Sequence, residues 1–267
     1  MGFTPLTSAV DHRHIPVAKF LLESGADVEL PVECPLPTNF NGASPLMIAC
    51  RQGPLEMVEL LLSRGADPNR RNRLWHIDST LRNAVHSRDV TIVRRLLKAG
   101  AKPHASHLYS SVIHGPSDVV EELIKAGCDV AYISKSGQPT IAAAVPMGTA
   151  AIERGKTIIQ LLLNAGADLN AEGKGGQTAL MKAVRYNLPS MIEFLIARGA
   201  KVDRPVRNDQ STALHCAAEL GHVEATETLI KLGAPFNARD KRGRTPFDLA
   251  KAEGQKGVLK LLKNPPV

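Results

Sequence analysis

Short runs of apolar residues at helical spacing recur along this chain, each followed within a few residues by a glycine. In Val58-Glu59-Leu60-Leu61-Leu62, ahead of Gly65, the run is amphipathic and predicts a helix that buries one side. The same tail returns as "LLESGADVE" (21–29), "LLSRGADPN" (61–69), "LLKAGAKPH" (96–104) and "LIKAGCDVA" (123–131). It continues as "LLNAGADLN" (162–170), "LIARGAKVD" (195–203) and "LIKLGAPFN" (229–237). A second pattern ends on a small residue, in most segments sixteen residues before the glycine. It reads "TPLTSA" (4–9), "SPLMIA" (44–49), "STLRNA" (79–84), "TALMKA" (178–183), "TALHCA" (212–217) and "TPFDLA" (245–250).

Each segment therefore predicts two short helices. The leading Thr or Ser is a helix N-cap whose hydroxyl meets free backbone N–H groups, and Pro suits the first turn. Leu and Ala face inward, the Ala small enough for close helix packing. The glycine ends the second helix in a left-handed conformation that carries no Cβ penalty there. The tail after it predicts a turn into the next segment. One such pair cannot bury its apolar face alone, so the pairs must stack.

The T-P-L-H-x-A motif and the L-L-x-x-G-A-D-V-N tail resemble the ankyrin repeat family, and about eight copies span nearly the whole chain. The resemblance implies an all-α solenoid of stacked helix-turn-helix units with short hairpin-like loops, in a single domain over 1–267. The units read as 2–30, 42–70, 75–104, 105–131, 137–170, 174–203, 208–237 and 241–264.

Departures from the pattern carry the functional information. The closing glycines fall at 25, 65, 100, 127, 166, 199 and 233, so their spacings are 40, 35, 27, 39, 33 and 34. "LPVECPLPTNFNG" (30–42) predicts an extended inserted loop, either a binding element or a tolerated surface insertion. In the fifth unit, "AAAVPMGTAAIERGKTI" (142–158) predicts an early stop at Pro146 and Gly148 and a late second helix. The fourth unit reads "SHLYSS" (106–111) in place of the motif. At the N-terminus, Val17, Phe20 and Leu21 look like interior residues, as expected of a longer array or of a makeshift cap.

In ankyrin arrays the tips and first helices form the concave, partner-facing surface. Carried over to this sequence, that rule nominates Asp11, His12, Arg51, Gln52, Trp75, His76, Asp78, His86, Ile113 and His114. It also nominates Lys135, Gln138, Lys174, Gln177, Arg185, Tyr186, Asp209, Glu219, Lys241, Arg242 and Arg244. Arg82 and Tyr109 fall at the place of the T-P-L-H histidine, which remains as His215. The third and fourth units thus gather Trp75, His76, Asp78, Arg82, His86, Tyr109 and His114, and three readings compete for them. They form a protein-binding hot spot, since Trp, Tyr and Arg dominate interface energetics. Alternatively His76, Asp78, Arg82, His86, Tyr109 and His114 line a small-molecule pocket for cofactor-independent acid–base isomerisation, dehydration or cyclisation, covered by 30–42 and 145–155. Or Trp75 simply packs under its hairpin and the polar groups are solvated.

Composition narrows the choice. Hydrophobic residues make up 43% and aromatics 4%, so the core is aliphatic. A net charge of +7 favours an acidic or acidic-hydrophobic protein segment as partner. Lysines and arginines are spread out rather than massed with aromatics, which argues against nucleic acid. Cys34, Cys50, Cys128 and Cys216 form no C-x-x-C pair, and the last three read as small buried groups. "HRH" (12–14) and "HASH" (104–107) lack a second ligand pair at metal spacing and read as solvated turn histidines. "EGKGGQT" (172–178) lacks phosphate-loop spacing and reads as a hairpin tip. No cofactor or metal is implied. There is no signal segment, glycosylation acceptor or membrane-length apolar run, so the expected setting is cytoplasm or nucleus.

Overall fold

The computed structural model describes residues 2–33, 41–72, 79–206 and 208–263. Two compact units divide the chain, 1–129 and 130–267. The first holds four helix pairs: α1 (Pro5–Asp11) with α2 (Ile15–Glu23), α3 (Pro45–Gln52) with α4 (Leu55–Ser63), α5 (Thr80–Ser87) with α6 (Val90–Lys98), and α7 (Ala105–His114) with α8 (Ser117–Lys125). The second holds four more: α9 (Thr140–Ala143) with α10 (Ile152–Asn164), α11 (Ala179–Arg185) with α12 (Pro189–Ala197), α13 (Ala213–Leu220) with α14 (Val223–Lys231), and α15 (Pro246–Ala252) with α16 (Lys256–Lys263). Among the described residues, β pairing is confined to the isolated bridges Arg71–Ser79 and Ile133–Pro139. The fold is all-α, as the sequence implied.

Within each unit the pairs stack in register. First helices pack on first helices, α1 on α3 on α5 on α7, and second helices pack likewise from α2 to α8. The second unit repeats the scheme, with α9, α11, α13 and α15 in one row and α10, α12, α14 and α16 in the other. The interior is aliphatic: Leu46, Ile48, Met57, Leu61, Leu108 and Leu123 are fully buried in the first unit, Ile158, Ile159, Leu195 and Leu229 in the second. Thr4, Ser44, Ser79, Thr178 and Thr245 cap their helices as expected, each side chain accepting from a backbone N–H three residues on. The glycines closing the second helices all have positive φ, from 83° at Gly127 to 95° at Gly199. A side chain there would be strained.

Polar contacts between neighbours accompany the apolar stack. Asn69 donates through Nδ2 to the Gly100 carbonyl at 3.0 Å and accepts the Lys102 N–H at 2.8 Å. Asn170 does the same one unit over, to the Gly199 carbonyl at 3.1 Å and from the Lys201 N–H at 2.9 Å.

The irregular segments have local causes. In the 30–42 insertion, Val32 is buried and exchanges backbone bonds with Gly42 and Ala43, which pinches the loop shut at its base. Residues 34–40, Cys34 included, lie outside the described residues. In the fifth repeat, α9 stops after four residues, a 3-10 turn covers Thr149–Ala151, and α10 runs for thirteen residues. Gly155 lets α10 approach the end of α9 closely, since a Cβ there would meet the Ala144 carbonyl at 2.9 Å.

One expectation is overturned. The sequence marks Val17, Phe20 and Leu21 as interior residues, but Val17 and Phe20 are 49% and 66% exposed and Leu21 is half-buried. Val17 stands where Met57 stands in the next repeat, and Met57 is fully buried between helices on both sides. Among the described residues, nothing covers the outer side of α2. Met57→Ala is therefore expected to lower stability by about 2–5 kcal/mol in urea unfolding, whereas Phe20→Ser shifts it by less than about 0.5 kcal/mol.

Candidate protein-binding face

In the first unit the candidate side chains project from the first helices. His12 and His86 each sit at the end of such a helix, and each Nδ1 donates back to a carbonyl one turn earlier, Ser8 at 2.9 Å and Arg82 at 2.8 Å. That bond fixes the proton on Nδ1 and leaves Nε2 as the acceptor of the neutral ring. Arg82 and Tyr109 are half-buried on the adjacent helices α5 and α7, while His86, His114 and Arg51 are exposed. Gln52 of α3 donates to the Asp11 carboxylate of α1, tying neighbouring first helices together. Trp75, His76 and Asp78 lie outside the described residues; the described members of that cluster, Arg82, His86, Tyr109 and His114, stand on the packed helices α5 and α7. Residues 145–155, assigned as a cover for it, belong to the second unit.

In the second unit the first helices and tips hold a groove of about 320 Å³. Seven of the side chains nominated from the repeat register line it: Gln138, Gln177, Arg185, Tyr186, Asp209, Glu219 and Arg244. The tips of successive repeats stack at its rim. Lys174 donates its N–H to the Gly137 carbonyl at 2.7 Å, and a Cβ on Gly173 would lie 2.2 Å from that same oxygen. Gly173 thus serves tip-on-tip contact, and a Cβ on Gly176 would lie 2.3 Å from the Val206 side chain. Arg244 is committed within the groove: Nε and Nη2 both reach Asp240 Oδ2 at 2.8 Å. The backbone N–H groups of Arg242 and Arg244 bind Oδ1 of the same carboxylate at 2.9 Å.

Family models described as "Ankyrin repeats (3 copies)" match residues 1–72 and 136–206, and "Ankyrin repeats (many copies)" matches 214–262. The chain belongs to the ankyrin-repeat family. It is similar to human transient receptor potential cation channel subfamily A member 1, 29% identical across 98% of this chain and 24% of the relative. Tyrosine-protein kinase Shark of Drosophila melanogaster is 31% identical across 66% of this chain and 18% of its own length. Ankyrin repeat and KH domain-containing protein mask-1 of Caenorhabditis elegans is 29% identical across 87% of this chain and 10% of its own length. The chain thus spans a minor part of the relatives it matches. Ankyrin repeats are protein–protein interaction modules.

Within the ankyrin pattern, one assignment needs correction. The register placed Tyr109 at the T-P-L-H histidine and read "HASH" as solvated. Helix α7 starts two residues earlier than that register implies, with His104 as N-cap and His107 closing the capping box. His107 is buried, its Nδ1 accepting the His104 N–H at 3.0 Å. Nε2 therefore carries the proton and donates to Ser79 Oγ, 3.1 Å away in the preceding repeat. His215 makes the equivalent bonds in the regular repeat, from the Thr212 N–H at 3.1 Å and to the Arg244 carbonyl at 3.0 Å. The signal for His107 was in the sequence: His104 and His107 have capping-box spacing.

The register does not nominate every groove residue. Lys182 and Cys216 both line the groove, although Cys216 had been read as a plain buried thiol. Cys216 is half-buried. Burial raises its pKa, Arg185 opposes that, and Glu219 and Asp209 add to it. Cys50 and Cys128 are buried as expected, and burial pushes the Cys128 thiol up to about 11. Among the described residues, no group of three His, Cys, Asp or Glu side chains is placed to hold a metal ion. No described helix is long and apolar enough to cross a membrane.

Burial, aided by the charges of His104, Arg82 and Arg71, lowers His107 from 6.5 to about 4. The unfolded chain takes up that proton near pH 6.5, the folded chain only near 4. The contribution of the neutral ring is thus complete above the unfolded pKa and is lost as pH falls between the two values. Urea unfolding at about pH 5 is expected to show about 2 kcal/mol less stability from this group than at about pH 7.5. His107→Gln keeps the capping geometry without titrating, so it should remove that share of the pH dependence.

Proposed function

We propose that this protein is a non-enzymatic binding module that holds an extended segment of a partner protein along its first helices and repeat tips. The observation that carries this reading is the second-unit groove, lined by seven side chains that the repeat register assigns to partner contact. Its scaffold is preformed: the tips are hydrogen-bonded to each other and the helices below are packed, so little ordering entropy is lost on binding. The net charge of +7 supports a partner segment that is acidic overall. Arg82, His86, Tyr109 and His114 in the first unit are proposed as further contacts, with Trp75, His76 and Asp78 beside them in sequence. His12 and Arg51 extend the same row. The free thiols of Cys50, Cys128 and Cys216 suit a reducing compartment, cytoplasm or nucleus.

The test is selection of a displayed random-peptide library on the full chain, followed by affinity measurement for the enriched peptides. Tyr186→Ala or Tyr109→Ala is expected to weaken binding about thirtyfold, with the unfolding midpoint little changed. Binding should also weaken as salt screens the acidic segment. Enriched peptides that bind both variants as tightly as the unsubstituted protein would overturn the assignment of this face.

A further inference from the structure

Lys182 occupies the fifth place of "TALMKA". The other repeats fill that place with Ser8, Ile48, Asn83, Cys216 and Leu249, and Ile48, Asn83 and Leu249 are at most 5% exposed. It is a floor position, where each repeat turns a side chain onto the next. A lysine there carries its charge into a half-buried site. Desolvation by burial lowers its pKa. The hydrogen-bond partner of Nζ among the described residues is the Ala143 carbonyl at 3.5 Å, at the long limit for such a bond. No described carboxylate lies within ion-pair reach of Lys182 or of its neighbour Arg185, and Arg244 is already held by Asp240.

The anions of the groove sit one repeat further on. Glu219 closes the exposed side of α13, and Asp209 stands in the tip before it, where Oδ1 accepts from the Ser211 N–H and hydroxyl. The groove is therefore positive on α11 and negative on α13. Packed neighbouring helices lie about 8–10 Å apart. An extended chain rises about 3.3 Å per residue, so one repeat corresponds to about three residues of a bound segment.

We propose that Lys182 is the specificity-determining anchor of this groove: it pairs with the carboxylate of an aspartate or glutamate in an extended partner segment, while Glu219 and Asp209 take a basic residue about three positions away. The proposal rests on reading this face as the binding face. It adds that the partner segment is not uniformly acidic. It carries opposite charges at a set spacing, in either chain direction. The ligand supplies what the folded chain lacks, a carboxylate for a cation with one weak partner.

Peptides enriched from a displayed random dodecamer library on the full chain provide the probe. They are expected to share an acidic and a basic residue about three apart. Lys182→Met should weaken them about thirtyfold, and so should changing the peptide's acidic residue to its amide. The two changes together should cost no more than one alone, because both remove the same contact. Lys182→Met should also raise the thermal midpoint by a few degrees, since an apolar side chain then fills the floor. The peptide-side change reads the same contact without touching the fold. Enriched peptides that ignore both changes, or that lack an acidic residue, would overturn the proposal while leaving the binding face in place. A lower midpoint in Lys182→Met would also overturn it, as the mark of a structural lysine. So would concentration-dependent dimerisation abolished by Lys182→Met, which would make a second copy of the chain the occupant. Failure to enrich any peptide on the full chain would instead overturn the binding-face reading on which the proposal rests.

Discussion

A pair of helices seven to nine residues long, such as α1 and α2, leaves an apolar face bare on each side. Such a pair acquires a core only when another pair covers that face, so stability here is a property of contacts between repeats. The rest of the structure answers to this constraint. Small residues at the motif's closing position, such as Ala49, Ala183, Ala217 and Ala250, are fully buried and let first helices approach closely. Asn69 and Asn170 join successive turns, so that backbone groups freed at the helix ends find partners in the next repeat. Where a neighbour is absent among the described residues, as on the outer side of α2, the same residue types stand exposed.

Stacking also decides where function can sit. The interior rows are committed to packing, and the proposed recognition surface uses the first-helix faces and the tips instead. In the second unit that face is lined with polar and charged groups: Arg244 is paired with Asp240, whereas Lys182 and Arg185 have no described carboxylate within ion-pair reach. Of those two cations, Lys182 is the half-buried one. A cation at a position its sister repeats fill with Ile48 or Leu249 weakens the stack, and residues that reduce stability without a local return mark sites where binding supplies the compensation.

The histidines show one side chain serving different ends. His215 and His107 are buried rings whose two nitrogens link a helix start to an adjacent repeat. His12 and His86 spend one nitrogen on their own helix and keep the other for solvent or a partner. Residue type alone does not separate these roles. Position relative to the N-cap does, because only the third residue of the helix can reach back to the capping N–H.

The repeat pattern by itself determined the helix pairs, their capping residues and closing glycines, the aliphatic core, and the register that turns Arg185, Tyr186, Asp209 and Glu219 to one face. These are legible because they depend on local spacing: a Thr at the N-cap or a Gly at positive φ meets the same backbone geometry in every repeat. The start of α7 was misread for the same reason, since a register counted from Gly127 overlooks a helix that begins two residues early under its own cap. Only the tertiary structure decided which similar positions differ. It left Val17 exposed where Met57 is buried, carried His107 across to Ser79, and set Lys182 and Cys216 in a shared groove. Those outcomes depend on what the adjacent repeat places opposite each side chain, and that is a distance in space which no spacing along the chain encodes.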